Sequence, residues 1–417
     1  MSSTLFSRKL MAPIRSTLLS RFGKSLVNQA DTNHQDWLDI AILEETQDDV
    51  ACREVQGRGQ YLARQDMWDT LADEMRLADA ERLKTPSGLP IADLLAFGAR
   101  GDVVNAVEHA LFEGHRDAVA PLVDGINEME AMRIEYDKDP MLSVVVALTH
   151  IDIGWSWRTI TEKGGADGPA IQNCIAHFDR ASALLEAASN TVLRTPFIEA
   201  ARCSLLAGRA QANCRVADEY AALVDLDPQN YRSMRAMGTH LLPRWFGSYP
   251  DLELEARRMA ARTEKTWGAG AYTWVQFDAI ALDDVACALV DVDFFVDGIH
   301  DIVARRPDQE MVNLLASYCA VALRNGYGES PESDAPREAI AECAQWLVRD
   351  HLRELHPLVW AHAADGYNNA NRVRSLSRFA SRGKQTAIRA LEDLFFEDRK
   401  HGFRLTFTSD GLVREPV

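Results

Sequence analysis

The residues from Tyr220 to Pro250 contain three helical segments separated by two sharp breaks. Pro228 sets the first break, because proline lacks the amide hydrogen that a helix interior requires. Pro243 sets the second, since the residue before a proline disfavours the helical conformation. Short connections place successive helices side by side as antiparallel neighbours. This stretch therefore predicts successive helices joined by short connections.

The first of these helices ends in a characteristic pattern: Tyr220, Leu223, Leu226, Asp227, Pro228 and Asn230. The pattern resembles the close of a tetratricopeptide repeat (TPR), where the second helix finishes in a leucine-aspartate-proline-x-asparagine turn. The resemblance implies an all-α fold of stacked helical hairpins, a TPR-like α-solenoid. This architecture binds partners more often than it transforms substrates. In this turn, Pro228 is expected to end one helix and Asn230 to cap the next.

The second break, LLPRWFGSYP at 241–250, has a structural and a functional interpretation. Structurally, Pro243 ends a helix, Gly247 takes a left-handed turn conformation, and Ser248 caps the next helix. Trp245 then fills the gap between helix ends. Functionally, Trp245 and Arg244 lie at the mouth of a groove, where the planar guanidinium clamps a carboxylate or phosphate.

The same segment resembles the leucine-proline-arginine-tryptophan-glycine-glycine-serine turn of an uncharacterised bacterial TPR-like family. Phe246 stands where that family has its first glycine. The resemblance covers about a third of the chain and implies a helical-repeat fold without an established activity.

Hydrophobic periodicity and turn clusters divide the chain into four parts. They are a basic amphipathic or flexible N-terminal segment (1–35), an N-terminal helical block (36–161), TPR-like helical repeats (170–400) and a C-terminal β-hairpin (401–417). The glycine-rich segment at 162–169 is the predicted boundary between the two helical parts. Within the first block, Gly98 to Asp102 is a predicted helix break. The hairpin is predicted because apolar and polar residues alternate with a period of two and are followed by Asp410-Gly411.

Composition restricts the class of protein. Apolar residues make up 47% of the chain and the formal net charge is −17, so global disorder is disfavoured, as is non-specific binding to nucleic acid or anionic membrane. The seven cysteines lack the CxxC spacing of a zinc site, and their odd number argues against a disulfide framework. These features predict a cytoplasmic protein. No apolar run approaches the ~18–20 residues of a membrane-spanning helix.

The N-terminus has two interpretations. Apolar residues recur near helical spacing over residues 5–26, with basic residues between them and no acid. Such a segment is typical of a peripheral membrane anchor or an organelle transit peptide. Alternatively it docks on the acidic body of the protein or forms a frayed tail, because Pro13 breaks the amphipathic face.

A basic stripe follows near the C-terminus. Between Gly366 and Leu391 there is no acid, and Arg374, Arg378 and Arg382 share one face of a predicted helix. This stripe, at residues 372–389, binds an anionic partner such as RNA in one interpretation. In the other it pairs with acidic helices of the same protein.

No catalytic or metal-ligating residue set and no cofactor are predicted, because the chain contains none of the common nucleotide-binding, nucleophile-elbow or zinc-protease motifs. The favoured function is a non-catalytic adaptor or scaffold that holds a peptide or protein partner in a helical-repeat groove. An enzyme or ligand-responsive regulator with an interhelical pocket is the alternative. An anion- or RNA-binding module that uses the basic stripe is the third hypothesis.

Overall fold

The structure, a computed structural model, describes residues 31–32, 37–115, 120–164, 168–189, 194–208, 216–366 and 375–416. Helices account for 76% of it, and a small pair of strands forms the C-terminal end. The all-α class and the C-terminal hairpin are therefore confirmed. Residues 5–26 and Arg374 lie outside the described ranges, so the hypotheses about them stay predictions.

The described chain forms two compact units. The first contains Ala51–Ser233 and Pro243–Gly247, and the second contains the residues up to Val50, Met234–Leu242 and the chain from Ser248 onward. The helices that lie wholly or mostly in the first unit are α1 (Gln47–Arg64), α2 (Trp68–Ala80), α3 (Ile91–Phe112), α4 (Ala120–Glu135), α5 (Pro140–Gly164), α6 (Gly168–Ser189), α7 (Pro196–Leu206) and α8 (Val216–Leu226). Helix α9 (Tyr231–His240) is divided between the units.

Helix α5 is the centre of the first unit because it is apolar on almost every side. It packs against α2, α3, α4, α6 and α7. The α6 side chain Phe178 lies edge-on against Trp155 of α5, and its ring would lie 3.1 Å from a Cβ atom added at Gly154. Helices α5 and α6 flank the glycine-rich segment at 162–169 and belong to one unit, so the structure does not divide the chain there.

The expected helix break at Gly98 to Asp102 is wrong, since α3 continues through it. Gly98 is buried, and a Cβ atom there would collide with the backbone carbonyl of Gln56 on α1. Gly59 of α1 meets the carbonyl of Leu95 in the same way. The two glycines therefore permit a close crossing of α1 and α3.

The second unit is a series of mostly short helices. They are α10 (Tyr249–Arg262), α11 (Glu264–Trp267), α12 (Gly270–Leu282), α13 (Asp284–Leu289), α14 (Val292–Arg305), α15 (Gln309–Ser317), α16 (Pro331–Ala341), α17 (Cys343–Trp346), α18 (Pro357–Asp365), α19 (Leu376–Leu394) and α20 (Phe396–Lys400). Two π-helical turns, Tyr318–Ala322 and Leu347–His351, and a 3₁₀ turn, Leu323–Gly326, connect some of them. Helix α12 packs between α10 and α14, and α14 contacts α16. Helix α18 lies against α15 and α19.

Two small three-stranded sheets complete the second unit. Their strands are β1 (Asp31–Thr32), β2 (Leu38–Asp39), β3 (Ala41–Ile42), β4 (Glu354–Leu355), β5 (Phe403–Thr408) and β6 (Gly411–Pro416). The hairpin pairs β5 with β6 through the two-residue loop Ser409-Asp410, and β2 joins β5 in parallel. The other sheet has the order β1-β3-β4. The sequence did not predict the N-terminal strands, because two-residue strands show no period-two pattern.

Candidate functional site

The turn at Pro228 docks on an earlier loop of the same unit. The Lys84 ammonium lies 2.5 Å from the Asp227 carboxylate, and the Arg82 guanidinium donates to the Leu226 carbonyl at 3.1 Å. Asp227 is buried. The charged residues of the turn thus hold two connections of the first unit together.

Asn230 does not supply the expected side-chain cap. Its buried Oδ1 has no hydrogen-bond partner in the described part of the chain. Its backbone carbonyl instead accepts hydrogen bonds from the amide and the hydroxyl of Ser233, at 3.2 and 2.6 Å. The start of α9 is therefore stabilised by the main chain of Asn230 and the side chain of Ser233.

The turn at 243–247 belongs to the first unit. Pro243 and Arg244 are exposed, and Arg244 already takes part in an interaction within the protein. Trp245 is half-buried against the hydrophobic core of that unit and contacts Phe246, with ring centroids 5.9 Å apart. The half-buried position of Trp245 gives it a packing role, while anion binding by Arg244 stays a prediction.

Helix α10 begins immediately after this turn. Ser248 is its N-cap and accepts a hydrogen bond from the Asp251 amide at 3.3 Å. Gly247 does not have a positive φ, so the expected left-handed turn is not formed. The extended backbone of Ser248, with φ −140° and ψ 164°, sets the direction of the chain instead.

Helix α19 carries a basic face, which we define as Arg378, Arg382, Gln385 and Arg389. All four residues are exposed and follow one another at spacings of three and four. Arg382 forms a bidentate pair with Asp365 of α18, at 3.2 and 3.3 Å. Arg378 and Arg389 make no ion pair in the described chain, although Asp393 lies one helical turn beyond Arg389.

The opposite face of α19 fixes the orientation of this basic face. A Cβ atom at Gly383 would collide with the Pro357 carbonyl of α18, so the two helices cross closely. Phe379 and Leu391 are buried on the same side of α19. The arginines of the basic face are therefore directed away from α18, and only Arg382 reaches back to a carboxylate.

A second cluster, the Glu130–His150–His177 chain, links α4, α5 and α6. Nδ1 of His150 lies 2.8 Å from Nδ1 of His177, and Nε2 of His150 lies 3.3 Å from the Glu130 carboxylate. Arg180 donates two hydrogen bonds to Glu130, at 2.6 and 2.8 Å, and Arg133 donates a third at 3.1 Å. His150 is buried and His177 is half-buried.

The hydrogen bonds of this cluster determine which ring nitrogen carries the proton in each histidine. Burial opposes ionisation of Glu130, but the arginines outweigh it and lower the pKa of this carboxyl to about 2. The carboxylate therefore accepts from Nε2–H of His150, whose Nδ1 lone pair accepts from Nδ1–H of His177. Nε2 of His177 is left as an unprotonated base without a hydrogen-bond partner in the described residues.

Both histidines are neutral at pH 7. Burial lowers the pKa of His177 to about 4, with a further contribution from His150. Burial also lowers the pKa of His150, although Glu130 acts in the opposite direction. Two protonated rings cannot share a 2.8 Å nitrogen–nitrogen contact, because neither offers an acceptor.

The sequence did not predict this cluster, because its three residues lie on three different helices and form no local motif. One signal was present: His150 and Asp152 interrupt the apolar helix α5, and buried polar groups require partners. Asp152 pairs with buried Arg100 of α3 at 2.8 Å. In the described part of the chain, no three histidine, cysteine or acidic residues are arranged to hold a metal ion.

Burial keeps described cysteine thiols in their protonated form. The six described cysteines are buried free thiols: Cys52, Cys174, Cys203, Cys287, Cys319 and Cys343. Burial raises the pKa of Cys203 and Cys319 well above that of an ordinary thiol, so both remain protonated at neutral pH.

The chain matches no known family model, and no curated protein and no solved structure shows significant similarity to it. The TPR-like resemblance of the turns therefore stays a prediction. Among the described helices, none combines the length and the apolar character needed to cross a membrane.

Proposed function

We propose that this protein is a non-catalytic scaffold that binds an acidic segment of a partner protein on the basic face of α19. The proposal retains the TPR-like helical pairs and the cytoplasmic location expected from the sequence. The observation that carries it is the exposure of Arg378 and Arg389, which form no ion pair in the described chain. A protein with a net charge of −17 contains many acids, yet these two arginines are not paired with them.

An acidic peptide fits this face better than RNA. Proteins that bind single-stranded nucleic acid stack exposed aromatic rings on the bases. Phe379, the aromatic ring within α19 nearest the basic face, is buried, and the Arg382 guanidinium lies 5.3 Å from its centroid. The remaining groups of the face, guanidinium and amide, are donors suited to carboxylates.

The interaction is expected to be weak and sensitive to salt. Each exposed ion pair contributes about 0.2–1 kcal/mol, and salt screens it over a Debye length of ~8–10 Å. The negative charge of the whole protein opposes the approach of an anionic partner, so only a short acidic segment held against α19 gains from the contact.

The experiment measures fluorescence anisotropy of a labelled decaglutamate peptide with the full chain at 50 and 200 mM salt. Wild type should bind at low salt and more weakly at high salt. The double variant R378E/R389E should lose about tenfold or more in affinity, since two attractive contacts become repulsive.

The matched control is K265E/R324E, which changes the net charge equally at two exposed positions outside α19. Its affinity should stay close to that of wild type. Equal losses in both double variants would show a general charge effect and contradict the proposed site. Binding of single-stranded RNA without binding of decaglutamate would favour the nucleic-acid hypothesis instead.

A further inference from the structure

We propose that Glu130, His150 and His177 form an acid-sensitive latch that joins α4, α5 and α6 at neutral pH and opens when both imidazole rings are protonated. The latch does not depend on the binding function proposed for α19. Its geometry is a continuous chain of contacts across three helices, from a carboxylate held by two arginines to the last imidazole. The contact between the two rings requires at least one of them to be neutral, because two imidazolium rings offer no acceptor.

The charged groups around the latch come from α4 and α6. Glu130 and Arg133 belong to α4, and Arg180 belongs to α6. Arg180 opposes a positive charge on His150, whereas Glu130 favours one. Once His177 has bound a proton at Nε2, a proton on His150 would remove the only acceptor in the pair.

On the other helices that pack on α5, the charged residues that form ion pairs have partners outside the latch. From α3, Arg100 pairs with Asp152, and Glu108 accepts from Ser156 at 3.3 Å. The charged groups of α2 and α7 that make ion pairs also have other partners: Arg76 pairs with Asp73 and Asp139, and Glu199 pairs with Arg194 and Arg202. None of these pairs includes His150 or His177, so the ion pairs that bear on the two rings are those of Glu130 with Arg133 and Arg180.

The direction of the pH effect follows from proton linkage. The pKa of His177 falls from 6.5 in the unfolded chain to about 4 in the folded one. Between these values the unfolded chain binds more protons, so the stabilising contribution is complete above pH 6.5 and is lost as the pH falls toward 4. Acidification therefore weakens the contacts among α4, α5 and α6.

The first measurement is a ¹H–¹⁵N NMR titration of the histidine side chains in the full chain from pH 7.5 to 5.5. His177 should remain neutral throughout and show the Nδ1–H tautomer. A pKa near 6.5 for His177, or an Nε2–H tautomer, would contradict the latch. This readout does not depend on a variant that folds.

The second measurement is urea unfolding of wild type and H177Q at pH 7.5 and 5.5. Glutamine retains an N–H donor for His150 but does not titrate. Between the two pH values the urea midpoint of wild type should fall by about 0.5 M more than that of H177Q. H109Q, the exposed control, should follow wild type.

The comparison between variants is necessary because burial also lowers the pKa of His240, to about 3, and adds its own acid sensitivity. His240 is unchanged in all three proteins. A midpoint shift in H177Q equal to that of wild type would overturn the proposal.

Discussion

Asp93 shows how the surroundings of one side chain control its ionisation. Burial raises the pKa of this carboxyl to about 7, and the nearby carboxylates of Asp79 and Asp227 act in the same direction. Arg100 opposes them only in part. The folded chain therefore binds a proton at Asp93 over a range in which the unfolded chain does not, and stability falls as the pH rises from about 4 through 7.

We expect D93N to stabilise the protein at pH 8, by about 1–3 kcal/mol, because asparagine removes a half-buried charge that is poorly compensated. At pH 5 the gain should shrink, since Asp93 is then mostly neutral. Chemical denaturation at the two pH values measures the difference. D124N, an exposed change of equal charge, is the control. If D93N were no more stable than D124N at pH 8, that result would contradict the raised pKa of Asp93.

His356 is the opposite case, a buried histidine that is held in its charged form. Its Nε2 lies 3.0 Å from Glu354 and its Nδ1 lies 3.4 Å from Glu310. Burial disfavours the charge, but the two carboxylates outweigh it and raise the pKa of His356 to about 9. Asn313 accepts hydrogen bonds from the His356 amide and the Trp360 indole, which holds the start of α18.

H356Q should destabilise the second unit by on the order of 3 kcal/mol at pH 6, because it leaves two carboxylates without their cation. The raised pKa means that this contribution is complete below pH 6.5 and is lost as the pH rises through 9. The difference between wild type and H356Q, measured by urea unfolding, should therefore narrow at pH 10. Exposed H401Q is the control, and a gap that widens with pH would contradict the assignment.

At the scale of elements, α3 contains two glycines with different roles. A Cβ atom at Gly98 would collide with α1, whereas one at Gly101 would meet nothing within 4 Å. Judged by helix propensity alone, both glycines would weaken the helix. Packing explains why the helix continues through them: the close crossing with α1 compensates for the low helix propensity of Gly98.

Alanine substitutions distinguish the two glycines. G101A should stabilise the protein by up to ~1 kcal/mol, the gain in helix propensity. G98A should destabilise it by about 1–3 kcal/mol, because α1 and α3 must separate to admit the methyl group. Thermal or urea unfolding of both variants measures the contrast. A stabilising effect of G98A would show that α1 and α3 can accept a methyl group at their crossing without separating.

At the scale of the whole molecule, the local periodicity of apolar residues correctly predicted a buried helix face and the C-terminal hairpin. The stripe Trp68, Leu71, Met75 and Ala78 lies on one buried face of α2, as a spacing of three and four requires. Alternation around Leu405 and Phe407 predicted the hairpin, and both side chains are buried in β5. These features depend on neighbours within one segment, so the sequence contains the information directly.

The sequence by itself determined the helical class, the helix-ending prolines, the Ser248 cap and the C-terminal hairpin, because each depends on residues a few positions apart. Tertiary structure alone decided which polar residues meet. His150 and His177 lie 27 positions apart and contact each other only because α5 packs on α6. The same holds for Gly98, whose role depends on a carbonyl of another helix. Such pairings depend on helix crossings, and no local spacing encodes them.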